Sequence, residues 1–232
     1  MSRVVRIWDW PIRVFHFCFA AGWIGALAIA LLSSKLGSTF AYHSLIGLAL
    51  AWMVVLRLIW GFAGTRHARF GAFAFGPRRV LKYFRDALRF RETRFMGHNP
   101  GSAWVIFAMI ALTLAQVFTG IAVGSGKKNL RPLHEWLAYA MIALIVAHLL
   151  GVALHTLRHR EWIALSMIDG KRVGPVEDSI RLSRPLVGAA AALLIAGFSY
   201  GIYRNYDPVR QATTLPLIGV EVQIGDSEED WD

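Results

Sequence analysis

Five nearly uninterrupted apolar stretches, at about residues 14–32, 41–62, 102–124, 132–154 and 185–203, dominate the chain, and the polar residues crowd between them. The apolar positions run all round each predicted helix rather than along one stripe, the pattern of a helix surrounded by lipid or by other apolar helices. At ~1.5 Å per residue each stretch covers roughly the 30 Å hydrocarbon core of a bilayer. A mean hydropathy of +0.45 and a hydrophobic content of 56% over 232 residues fit this reading, so the predicted fold class is an all-α, polytopic membrane protein.

The breaks between stretches carry their own signals. Trp8-Asp9-Trp10-Pro11 reads as a helix start, with Asp9 or Trp10 at the cap, Pro11 in the first turn and the tryptophans at the membrane interface. Ser183-Arg184-Pro185 starts the fifth span, which is rich in alanine and glycine, lacks histidine and reads as packing material. Residues 63–101 are basic and punctuated by glycine. They contain an amphipathic piece from about Arg78 to Phe90, whose place is predicted on the membrane surface, arginines toward anionic head groups and Val80, Leu81, Phe84 and Leu88 dipping inward. Membrane lipid is thus the first expected partner.

A net charge of +10 would suggest nucleic acid in a soluble protein, but its distribution argues otherwise. Basic residues cluster in the N-terminus (Arg3, Arg6, Arg13), in the segment from Arg66 to Arg94, and from Arg158 to Arg184. All three lie on one side of a five-span protein, so the positive-inside rule predicts a cytoplasmic N-terminus and a C-terminus on the outer side. The basic residues lack interleaved stacking aromatics, and no nucleic-acid role is expected. The first span has the flanks of a signal peptide, but a second span follows almost at once, and the expectation is a retained helix. The lone cysteine, Cys18, excludes an intrachain disulfide and leaves no Cys-x-x-Cys-His for covalent haem attachment.

Histidines supply the candidate chemistry. His134 and His148 lie fourteen residues apart on the fourth span, which in a helix is a rise of roughly 21 Å and a return to within about 40° of the same face. With the N-terminus inside, His16 shares the depth of His148, and His43 shares that of His134. Histidines inside a bilayer read as functional, and two facing pairs at two depths are what two bis-histidine haems need. The depth match pairs His16 with His148 and His43 with His134. Zinc would require four ligands converging on one point. His67, His98, His155 and His159 fall in or beside loops and are expected to be solvated, with His155 alone placed to touch a haem propionate or a quinone.

Arg13, Arg57 and Arg131 are candidate propionate contacts. Arg13 and Arg131 each lie one turn before a candidate ligand, and Arg57 follows His43 by fourteen residues, at the depth of the inner pair. Snorkelling to the surface explains Arg13 and Arg57 equally well. Gly22, Gly47, Gly120 and Gly151 permit close approach of a flat macrocycle or of a neighbouring helix. Lys127, Lys128 and Arg131 form a basic exception on the outer side. The C-terminal tail is acidic, ending Ser227-Glu228-Glu229-Asp230-Trp231-Asp232.

Trp8-Asp9-x-Pro11-x-Arg13-x-x-His16, His43-x-x-x-Gly47, Thr119-Gly120, His134…His148 and Ser166-Met167-x-x-Gly170-Lys171-Arg172, in that order on four spans, resemble the bacterial cytochrome b561 and Ni,Fe-hydrogenase b-type cytochrome superfamily. The resemblance covers about residues 6–175. It implies a four-helix transmembrane bundle holding two haems b, with His16, His43, His134 and His148 as the axial ligands. It also implies electron transfer between membrane quinone and a partner protein, here expected to be a periplasmic redox protein such as a c-type cytochrome. A free-standing superoxide:quinone oxidoreductase is the alternative function, and a transporter lacks the intramembrane acids a proton relay requires. The expected organisation is a four-helix domain at 1–175, a fifth helix with its lead-in at 176–204 and an acidic periplasmic tail at 205–232.

Overall fold

The structure is a computed structural model, and it describes residues 3–33, 38–89, 91 and 94–225. Among the described residues, five helices are long and apolar enough to cross a membrane: α1 (Trp10–Leu32), α2 (Ala41–Ala63), α4 (Pro100–Gly124), α5 (Arg131–His159) and α7 (Pro185–Arg204). The chain is a polytopic all-α membrane protein. Large apolar side chains such as Ile24, Leu31, Phe118, Leu149 and Leu193 stand exposed along these helices, as lipid-facing positions do. The short elements are β1 (Arg3–Arg6), α3 (Pro77–Leu88), α6 (Leu165–Asp169), β2 (Lys171–Gly174), β3 (Ala212–Thr214) and β4 (Glu221–Gln223).

The chain forms two compact units, each drawn from several stretches. The first comprises residues 1–16, 56–110 and 142–189, and the second residues 17–55, 111–141 and 190–232. All five long helices therefore contribute a segment to both units.

In the first unit, β1 and β2 pair antiparallel, with Arg3 opposite Gly174 and Arg6 opposite Lys171. Val5, Ile7, Trp8, Ile12 and Ala68 form a buried core, against which Trp60, Met96 and Met167 pack. Asp9 holds the start of α1. One carboxylate oxygen accepts from Ile12 N at 3.0 Å as a helix cap, while the other accepts from Trp60 Nε1 at 3.1 Å and Thr65 Oγ1 at 2.6 Å. Trp8 donates through Nε1 to Ser166 Oγ at 3.1 Å, and the Gly170 carbonyl accepts from Ile7 N and Trp8 N. Gly170 ends α6 at φ +77°, and a Cβ there would lie 2.8 Å from Trp8 O, so only glycine suits both demands.

Charge completes the first unit. Arg172, nearly fully buried, donates to the carbonyls of Phe95 and Met96 and to both oxygens of Glu161, which also pairs with Arg94 at 2.7 Å. Burial alone would raise the Glu161 carboxyl, but the bonds and charge of Arg172, then those of Arg94, hold it at about 2. On α3, Leu81 and Phe84 are exposed as a lipid-facing pair would be, whereas Val80 is buried in the protein; the Leu88 side chain and Phe90 lie outside the described residues.

In the second unit Trp52 on α2 stacks on Phe198 of α7 at 5.0 Å and donates to Leu194 O at 3.2 Å. Gly22 lets α1 and α2 approach closely, because a Cβ there would meet Leu50 at 2.9 Å. Beyond α7 the tail folds into a hairpin: β3 and β4 pair antiparallel, Thr213 Oγ1 donates to Ile202 O at 2.7 Å, and Ile224 O accepts from Ser44 Oγ at 2.9 Å. Gly124 at the end of α4 lies so near this hairpin that a Cβ would meet Gln223 O at 2.9 Å. Residues 205–225 are thus built onto the protein, not merely a solvated terminus, and the acidic end at 226–232 lies outside the described residues.

Candidate functional site

The His43–His134 pair belongs to the second unit. His43 sits in the first turn of α2 and His134 in the first turn of α5, and their ring centroids are 6.1 Å apart with planes inclined at 76°. Two metal–nitrogen bonds of roughly 2 Å, plus about 1 Å from each ring nitrogen to its centroid, span roughly that separation. The remaining nitrogens are tied to the protein. His43 Nδ1 donates to Ala26 O at 2.9 Å on α1. His134 Nδ1 lies 3.0 Å from Thr119 Oγ1, whose own hydrogen is directed to Ala115 O at 2.9 Å or Gln116 O at 3.1 Å, so the hydroxyl accepts from Nδ1–H. Both rings are thereby fixed as the tautomer that leaves Nε2 with a free lone pair, the arrangement of metal-ligating histidines. Gly120 makes room for the second ring, since a Cβ there would lie 3.3 Å from His134 Cε1.

Beside His43, one turn along α2, a Cβ on Gly47 would meet no atom within 4 Å, so a flat group has space beside the ring. Among the described residues no three or more histidine, cysteine or acidic side chains converge on a point that could hold a bare metal ion. The donor set instead offers two imidazoles per site, which suits a metal whose other ligands come from a macrocycle.

His16 and His148 belong to the first unit, and His148 lies near enough to His16 to act on it electrostatically. A Cβ on Gly151, three residues after His148, would again meet nothing within 4 Å. Around this pair the loop histidines depart from expectation. His67 is buried, and its Nε2 donates to Asp178 O at 2.7 Å. The His98 ring packs against Trp8 at 4.7 Å and Phe73 at 4.4 Å; the residue is half-buried, with its Nδ1 fully so. Burial, then the charge of Arg57 and of His67 and His148, pushes His98 down to about 3, so the ring is neutral. The His155 ring packs at a tilt on His159 with centroids 4.5 Å apart and lies 3.7 Å from Glu161, beside a small cavity of about 10 Å³.

The three arginines separate. Arg13 stacks over Trp10 at 4.1 Å and donates to the carbonyls of Met167 and Ile168, binding α1 to α6. Arg57 is buried over the Phe70 ring at 4.7 Å; its Nη2 donates to Ala68 O at 3.2 Å, and among the described residues its Nη1 has no hydrogen-bond partner. Arg131 opens α5 on the exposed side, next to the exposed Lys127 and Lys128.

Residues 7–170, more than two thirds of the chain, match the prokaryotic cytochrome b561 family. The chain belongs to that family. It is also 22% identical over 219 residues to a "Probable Ni/Fe-hydrogenase B-type cytochrome subunit" from Rhizobium leguminosarum bv. viciae, covering 73% of this chain and 89% of the relative. No solved structure matches it. This b561-family protein is a membrane cytochrome b of electron transfer, and membership of a b-type cytochrome family implies haem b as its cofactor.

The roles of Thr119 and of the Ala26 carbonyl in holding the His134 and His43 rings are not visible in the sequence alone, although Thr119-Gly120 is part of the pattern that carries the resemblance. Neither has a periodic signature, because a ring partner fifteen or seventeen residues away is set by helix packing.

Proposed function

We propose that the chain is a dihaem cytochrome b that carries electrons across the inner membrane between the quinone pool and a periplasmic redox protein such as a c-type cytochrome. His43 with His134, and His16 with His148, are the axial ligands in this reading. The observation that carries it is the His43–His134 pair: centroids 6.1 Å apart, each Nδ1 anchored to protein. When bound, haem b supplies reversible one-electron chemistry. The protein's part is to fix ring direction through Ala26 and Thr119 and to leave room beside Gly47 and Gly151. It also supplies the cationic Arg57 on the first unit and Arg131 on the second as carboxylate contacts.

The basic residues of the first unit belong on the cytoplasmic side in this reading, with the C-terminal hairpin periplasmic. The family match ends near the predicted 1–175 domain boundary. Residues 176–204 and 205–232 are additions to the haem-binding core, and the hairpin joined to Ser44 and Gly124 shapes the surface that meets a partner.

A second reading, a superoxide:quinone oxidoreductase, is favoured by the exposed Lys127, Lys128 and Arg131 beside His134, which would draw a small anion to that end. The two readings part in one experiment. The purified protein in quinone-containing liposomes is reduced and then mixed with a c-type cytochrome, or oxidised and mixed with a superoxide source. Fast exchange with the cytochrome and none with superoxide is expected; quinone reduction by superoxide alone selects the second reading, and exchange with neither the quinone pool nor a partner refutes both.

A further inference from the structure

Among the described residues of the first unit, Arg57 Nη1 and His98 Nδ1 are buried nitrogens with no hydrogen-bond partner in the protein. Buried polar atoms are nearly always hydrogen-bonded, and each exception calls for an explanation such as a missing ligand. The two exceptions here are joined. The Arg57 guanidinium lies over Phe70, Phe70 packs on Phe73 at 5.9 Å, and Phe73 packs on His98 at 4.4 Å. Arg57 and His148 are both near enough to His98 to act on its charge.

The chemistry of the missing partner follows from the donors. A guanidinium only donates, so whatever meets Nη1 is an acceptor, and a buried cation favours an anionic one. The protein does not provide it: Asp9, the acid that acts on Arg57 through space, has its two oxygens engaged by Ile12 N, Trp60 and Thr65. His67 does not supply it either: its one N–H, on Nε2, goes to Asp178 O, and among the described residues its ring forms no hydrogen bond with Arg57 Nη1 or His98 Nδ1. His98 is neutral and keeps one N–H to give, a second donor without a second buried charge.

We propose that Arg57 and His98 together form a carboxylate receptor in the first unit, donating from Nη1 and Nδ1 to a propionate of the haem held by His16 and His148. The proposal rests on the reading of that pair as axial ligands. It assigns to His98 a binding role and gives Trp8 and Phe73 the task of fixing the ring's direction from either side. Removing either donor leaves the propionate charge less compensated and stabilises the oxidised form of that centre.

The test is a redox titration of the purified holoprotein with redox-difference infrared spectra, using haem labelled with carbon-13 in its propionates. In His98→Ala and Arg57→Gln, the midpoint of the component lost in His148→Ala should fall by a three- to tenfold change in the redox equilibrium, tenfold being about 59 mV for one electron. The labelled carboxylate band should move, while the other component stays in place as a control for folding. His98→Gln, which keeps an N–H donor, should restore most of the midpoint. Unchanged midpoint and labelled band in both single variants overturn the proposal. So does a midpoint that follows added chloride or phosphate without moving the labelled band, which identifies a free anion. Loss of this centre in both His98→Ala and His98→Gln also overturns it, since the ring then serves packing alone. A wild-type protein without a His16/His148 component refutes the axial reading instead, and the two failures are distinct.

Discussion

At the His43–His134 pair each ring nitrogen has its own duty: Nδ1 is bound by protein and Nε2 is left as a donor of electrons to a metal. Thr119 performs the protein's part at His134 with one hydroxyl that donates to a carbonyl of its own helix and accepts from the ring. Thr119→Val keeps the shape and removes the acceptor, so we expect about 10- to 100-fold weaker retention of the haem at this pair, read as haem content after dilution into detergent, with the other component unaffected. The proposed ligands are legible in the sequence, because four histidines in apolar spans at two matched depths point to a shared use that any one of them alone would not. His98 was not. It stands between Gly97 and Asn99-Pro100, where local sequence says loop, and only the approach of Trp8 and Phe73 from distant parts of the chain buries it.

At the scale of elements, the five spans follow from length and hydropathy alone, with ends that moved outward by a few residues: α1 begins at Trp10, directly after the Asp9 cap, and α5 runs on to His159. What the sequence did not disclose is how the short polar segments bind the helix ends, since β1, β2 and α6 are too brief to have a period. Glu161 is central there. Its carboxyl is held at about 2 against an ordinary 4.5, so the native state gains stability from this depressed value at pH above about 4.5 and loses it as pH falls toward 2. Glu161→Gln should lower the thermal midpoint at pH 6 and flatten its decline between pH 5 and pH 2.5, as followed by far-ultraviolet circular dichroism in detergent. An unchanged decline would mean that other carboxylates govern the acid limb. The hairpin was equally hidden, because Ala212–Thr214 and Glu221–Gln223 are short strands in a segment whose composition speaks only of charge. Ser44→Ala removes the bond to Ile224 O and should destabilise the hairpin by about 1 kcal/mol, seen as faster amide exchange at residues 212–224.

For the whole molecule, charge and histidines sort together. The strongly basic stretches fall in the first unit with His16 and His148, and the hairpin and the Lys127, Lys128 and Arg131 patch fall in the second with His43 and His134. The proposed orientation makes the first set cytoplasmic. A reporter active only in the periplasm should therefore be active when fused after residue 225 and inactive when fused after residue 91. If the basic patch steers a partner, its triple-alanine variant should exchange electrons more slowly at low salt, and the difference should shrink as salt screens the field. Equal rates at all salt concentrations would leave the patch only a lipid-anchoring role. Every part of this account depends on two bis-histidine centres, and the most direct measurement is the haem b content of the pure protein by pyridine haemochrome against quantitative amino-acid analysis: two per chain is the predicted result, and one or none would contradict it.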